Sequence, residues 1–151
     1  MRIFAALTTA LVLISLPAAA ADDPKNAVEY RQAVMKSLGG HAGAIAKIVK
    51  GQASHPGHIP EHAEAIAVTS ELVADIFPEN SGPNDYADTA ALPAVWEKPD
   101  AFRKTVDDFV AAAQDFAEAA QSDDRQTILA GFKKLGGACG ACHDDFRKEQ
   151  E

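Results

Sequence analysis

Apolar and small residues recur at alternating steps of three and four through four separate stretches of this chain. The first comprises Met35, Leu38, Ala42, Ile45 and Val49, and the second Ala63, Ile66, Ser70, Val73 and Phe77. The third comprises Phe102, Val106, Phe109, Ala113, Phe116 and Ala120, and the last Ile128, Phe132, Leu135, Cys139, Cys142 and Phe146. Such stepping follows the helical period of about 3.6 residues and draws one apolar stripe along each segment. A half-buried strand would alternate every second residue, and no stretch does. Stripes of this kind must be buried against one another. The pattern predicts an all-α protein, an antiparallel four-helix bundle.

Punctuation places the ends. Pro24 suits the first turn of a helix running from Asp23 to about Lys50, and Gly51 is a stop. Gly39, Gly40 and Gly43 each weaken that helix by ~1 kcal/mol relative to alanine, so packing must hold it. A loop over 51–59 leads to a second helix from near Pro60 to about Phe77, which Pro78 ends. Residues 78–98 hold Pro78, Asn80, Gly82, Pro83 and Pro93 without periodicity, so one long crossover loop joins helices two and three. Trp96, the only tryptophan, should fold back onto the bundle as an anchor. The third helix opens at Pro99 and reaches about Gln121, and Ser122 or Asp123 would cap the fourth. One domain is expected over 21–151.

Residues 1–20 stand apart. Arg2, the apolar run Ile3 to Leu16 and the small residues Ala18 to Ala21 make a secretory signal peptide by pattern, cleaved at 20/21 or 21/22. The run is short for a membrane span. Its removal leaves 13 Lys and Arg against 22 Asp and Glu, a net charge of −9. An acidic surface disfavours nucleic acid and suits solubility or a basic partner protein. Asp107-Asp108, Asp123-Asp124 and Asp144-Asp145 read as solvated helix faces, and no nucleophile–base spacing stands out. No enzyme is predicted.

Chemistry concentrates near the C-terminus, in Cys139-Gly140-Ala141-Cys142-His143. C-x-x-C-H is a haem-attachment pattern. Two thiols add across the two vinyl groups of a haem, and the following histidine is aimed at the iron. On a helix these residues lie at i, i+3 and i+4 and project from one face. On this reading the haem lies within the bundle, edged by Phe132 and Phe146. A redox dithiol would open a helix in a βαβ context, which is absent. A zinc site would need a second cysteine pair. A plain disulfide in an exported, haem-free binding module leaves the histidine without a role.

On these residues the chain resembles the cytochrome c′ family, the class II c-type cytochromes, themselves a standing example of the four-helix bundle. The likeness spans about Asn26 to Lys148. It rests on Ala27-Val28-Glu29-Tyr30-Arg31-Gln32-Ala33-Val34-Met35, on Val95-Trp96, and on Cys139 to Arg147 with C-x-x-C-H at the C-terminal end. The resemblance implies one covalent haem c on Cys139 and Cys142, with His143 as proximal iron ligand and Arg147 screening it. It also implies Arg31 and Gln32 near the haem propionates or rim, and Met35 on the distal side. It further implies a homodimer formed through the first two helices, serving an unidentified redox partner protein, and the signal peptide would place it in the periplasm of a bacterial host. An open, five-coordinate iron would bind NO or CO. With Met35 as second axial ligand the iron would instead be six-coordinate and low-spin, a pure electron carrier. The pairing Arg31-Gln32 tilts the reading towards five-coordinate.

His55, His58 and His62 crowd the start of helix two and read as solvated loop histidines, although a surface metal site or a partner surface is conceivable. His41, after a double glycine, is expected to be exposed.

Overall fold

The computed structural model describes residues 23–149, and the signal peptide assigned to residues 1–20, with its cleavage point, lies outside them. Helix α1 spans Pro24–Val49, α2 Ile59–Ser70, α3 Ala94–Glu97, α4 Pro99–Ala119 and α5 Arg125–Phe146. The four long ones form the antiparallel bundle. The one-turn α3 and a 3₁₀ turn at Glu79–Ser81 lie within the crossover. No strand forms among the described residues.

Local chemistry explains the ends. The Asp23 carboxylate accepts from the Lys25 amide at 3.0 Å, and Pro24 occupies the first turn of α1. The helix continues unbroken through its glycines and stops where Gly51 adopts φ +73°, a conformation that L side chains resist. Helix α2 is shorter than its stripe suggests, tightening into a 3₁₀ turn at Glu71–Ala74. There the Ser70 hydroxyl donates to the Ala67 carbonyl at 2.7 Å, and Arg31 reaches from α1 to the Ile76 carbonyl at 3.3 Å. The Ser70 hydroxyl thus takes a carbonyl of the last turn of α2, and Arg31 takes one beyond the 3₁₀ turn. The cap of α5 is Asp124 and not Ser122 or Asp123. Its carboxylate accepts from the Gln126 and Thr127 amides and the Thr127 hydroxyl, while the Ser122 hydroxyl accepts from the Asp124 amide.

Packing runs from α1 to α2, α2 to α4 and α4 to α5. Phe116, Ile45, Ile66, Leu135 and Val28 are fully buried at its centre. Helices α4 and α5 pack tightly at Gly131, where an added Cβ would stand 2.9 Å from Ala119 Cβ. The circuit is not closed by comparable packing of α5 on α1. An open seam remains between those two helices.

The crossover seals one end of that seam. Arg31, only 4% exposed, donates to Ser81 Oγ at 2.9 Å, the Ser81 carbonyl at 3.0 Å and Thr89 Oγ1 at 2.7 Å. Its guanidinium lies 4.6 Å from the Phe77 ring centre and 5.9 Å from that of Trp96. Trp96 folds back as expected and donates to the Pro78 carbonyl at 3.1 Å. On the other side, the Leu92 amide donates to the Phe146 carbonyl and the Lys148 amide to that of Ala90. Ala91 and Arg147 thereby form an isolated antiparallel bridge. The loop is tied to α1 and to the end of α5 at once.

Candidate functional site

The seam holds a cleft of two lobes that share Met35, Cys142, His143 and Arg147. One lobe, of about 330 Å³, runs towards the crossover past Arg31, Gln32, Phe77, Phe102 and Phe146. The other, of about 270 Å³, runs between the helices past Leu38, Ile66, Val73, Phe109, Leu135 and Cys139. Volumes of this size and apolar character suit a cofactor-sized ligand.

Cys139, Cys142 and His143 come together as the spacing predicts. All three are half-buried on one side of α5, and both thiols are free. Burial pushes the Cys139 thiol above its ordinary pKa. Cys142 is pushed up to about 11, first by burial and then by the charges of Cys139 and Asp145. Burial also lowers the pKa of His143, and the neighbouring Arg147 charge lowers it further against the pull of Asp144. Both effects favour the neutral imidazole, the form whose lone pair can bind a metal. A pair of thiols and an imidazole facing an apolar cleft fits a covalently held iron porphyrin, and α5 presents all of them from one side.

The remaining predicted residues divide. Met35, from α1, lines both lobes opposite the α5 group. Arg147 lines both lobes too, and its amide donates to the His143 carbonyl at 3.2 Å as the helix ends. Arg31 and Gln32 line the crossover lobe, but their polar ends are engaged elsewhere. Gln32 donates to the Asp88 carbonyl at 3.2 Å, and Arg31 holds the loop oxygens described above. Both are loop clamps in the structure, a role that nothing in their local sequence signalled. Among the described residues, no carboxylate pairs with Arg31, and burial pushes its pKa down. Phe146 edges the cleft, but Phe132 does not. Phe132 packs on Phe116 with ring centres 5.5 Å apart. The cleft is also an open seam and not a closed interior. Thr89, Ala90 and Ala91 of the crossover line it as well, through hydrogen bonds between residues far apart in the chain.

Of the other histidines, His41 and His62 depart from expectation, whereas His55 and His58 are solvent-exposed as read from the sequence. His41 is half-buried, not exposed, and its Nδ1 lies 2.9 Å from Nδ1 of His62. His55 and His58 are exposed, with rings stacked 5.0 Å apart.

Comparison with known proteins gives the same picture. A family model described as Cytochrome C' matches residues 26–147. Cytochrome c′ of Pararhodospirillum photometricum is 38% identical over 125 residues, covering 83% of this chain and 98% of that protein. The crystal structure of cytochrome c′ from Rubrivivax gelatinosus superposes with a TM-score of 0.76 at 30% identity, over 83% of this chain and 98% of the other. A ferrous variant of cytochrome c prime from Alcaligenes xylosoxidans with bound NO superposes at 0.75 and 27% identity, over 85% and 98%.

Proposed function

The chain belongs to the cytochrome c′ family and binds one covalent haem c, and from that premise we propose a periplasmic monohaem cytochrome with a five-coordinate iron. It carries electrons or takes up a small uncharged gas such as NO or CO. One observation carries the reading: Cys139, Cys142 and His143 face the two-lobed apolar cleft along the α1–α5 seam.

Cys139 and Cys142 would hold the porphyrin as thioethers, and His143 would ligate its iron from α5. When bound, the haem supplies one-electron chemistry and an iron position open to a ligand. The polypeptide supplies the rest. Burial disfavours protonation of His143, and Arg147 disfavours it further. The inter-helix lobe is walled by Leu38, Ile66, Val73, Val106 and Phe109. Those side chains offer no hydrogen bond, which suits a neutral diatomic. The NO-bound relative supports the same use here. The leader-like residues 1–20 support export. No helix among the described residues is long and apolar enough to cross a membrane. Among the described residues, the large apolar side chains left exposed, Tyr30, Val68 and Leu72, all lie on α1 or on α2 and its 3₁₀ extension. That placement supports a homodimer through those helices.

A second reading keeps one specific support. Met35 lines both lobes together with His143, where a thioether could complete a six-coordinate, low-spin iron. The electron paramagnetic resonance spectrum of the resting ferric protein separates the two. The five-coordinate reading expects a high-spin signal, CO uptake on reduction, and no change of spin state in Met35→Leu. A low-spin signal that Met35→Leu converts to high-spin would establish the alternative. Against a haem-free binding module, a Cys139→Ala, Cys142→Ala double variant should lose all haem colour on a denaturing gel.

A further inference from the structure

Four of the five histidines gather at the α1–α2 corner of the bundle, and the haem reading uses none of them. They form two pairs of different geometry. His55 and His58 stack with ring centres 5.0 Å apart and planes only 7° from parallel. Imidazole lone pairs lie in the ring plane, so two stacked rings cannot direct them at one ion. His41 and His62 are arranged otherwise. Their planes are inclined by 55°, and the two Nδ1 atoms stand 2.9 Å apart. The residues come from different helices and are 21 positions apart. Both rings are half-buried, so packing orients them while solvent still reaches them.

Two nitrogens at 2.9 Å, each bonded to a metal at about 2.0–2.1 Å, subtend an angle of about 90° at the ion. That is the cis angle of a tetragonal centre, whereas a tetrahedral ion would require the nitrogens roughly 3.3 Å apart. Tetragonal nitrogen and oxygen sites suit Cu(II) or Ni(II), and Cu(II) binds such donors more tightly. We propose that His41 and His62 form a two-imidazole site for a divalent transition metal of tetragonal preference, Cu(II) above all, bridging α1 and α2. In the metal-free pair one ring carries the Nδ1 proton of the hydrogen bond. On binding, that proton moves to Nε2 of the same ring, which frees both Nδ1 lone pairs without loss of net charge, and each ring turns from its partner nitrogen towards the ion. Among the described residues no group of three or more His, Cys, Asp or Glu side chains converges to hold a metal. Water therefore fills the remaining positions.

The test uses the haem-loaded protein, with Cu(II) added in competition with a colorimetric chelator. One Cu(II) per chain should bind with nitrogen hyperfine structure from two imidazoles, and the melting temperature should rise with Cu(II). His41→Gln and His62→Gln should each weaken binding at least about tenfold and abolish the thermal shift. His55→Gln should change neither. An unchanged Soret spectrum and helical circular dichroism in each variant show that the fold is intact. Equal Cu(II) affinity in wild type, His41→Gln and His62→Gln would overturn the assignment, as would a loss caused by His55→Gln.

Discussion

Arg31 joins a positive charge to neutral oxygens inside the protein. Removing a guanidinium from water is costly, and here only hydrogen bonds and two aromatic faces offset it. The arrangement makes Arg31 hard to replace. Arg31→Met would leave the Ser81 and Thr89 acceptors without their donor, and should cost roughly 3 kcal/mol or more in chemical denaturation of the haem-loaded protein. Arg31→Lys should recover little, because one ammonium cannot span partners set apart to match a planar fork. A loss below about 0.5 kcal/mol in Arg31→Met would contradict this account, being no more than an ordinary surface change. None of this was legible beforehand. Its partners lie 45 to 58 residues further along the chain, in a crossover with no periodicity to place it. His41 was wrongly expected to be exposed for the same reason, since its partner belongs to another helix. Cys139, Cys142 and His143 were legible because their geometry is internal to one helix.

The helices respond differently to one kind of substitution. At Gly131 a Cβ would meet Ala119 Cβ at 2.9 Å and Phe116 Cδ2 at 3.1 Å, so α4 and α5 would have to separate. Gly131→Ala should therefore destabilise by about 1–3 kcal/mol, despite a helix-propensity gain of about 1 kcal/mol. At Gly40 an added Cβ meets nothing within 4 Å. Gly40→Ala should stabilise the isolated chain by up to about 1 kcal/mol. Thermal denaturation of the pair checks both signs, and equal shifts would contradict the packing described. The start of α5 carries a pH dependence. The Thr127 hydroxyl and the Gln126 and Thr127 amides hold the Asp124 carboxyl below its ordinary pKa. Its contribution is thus complete above the unfolded value near ~3.9 and fades as pH falls through the lower folded value. Asp124→Asn should lower the melting temperature at neutral pH and flatten its decline in acid. An acid limb identical to wild type would remove Asp124 from the cause. Helix existence and the proline starts were readable from stepping and punctuation. The early end of α2 was not, because the stripe of steps runs on through the 3₁₀ turn Glu71–Ala74, whose side chains are still buried at Val73.

At the scale of the molecule, what matters is a bundle packed around three sides and open along the fourth. The stripes show that helices bury against one another, but not which pair stays apart. That is decided by the crossover, which ties α1 to the end of α5 through Arg31 on one side and the Ala91–Arg147 bridge on the other. The result is a cleft whose α5 wall bears two thiols and an imidazole and whose α1 wall bears Met35. Everything proposed for the iron depends on those thiols being bonded to a porphyrin. The most direct test is the intact mass, under denaturing conditions, of mature protein from a host able to attach haem c. It should exceed the polypeptide cut at 20/21 or 21/22 by one haem, and lose that excess when Cys139 and Cys142 are both replaced by alanine. A wild-type mass equal to that of the polypeptide alone would contradict the account.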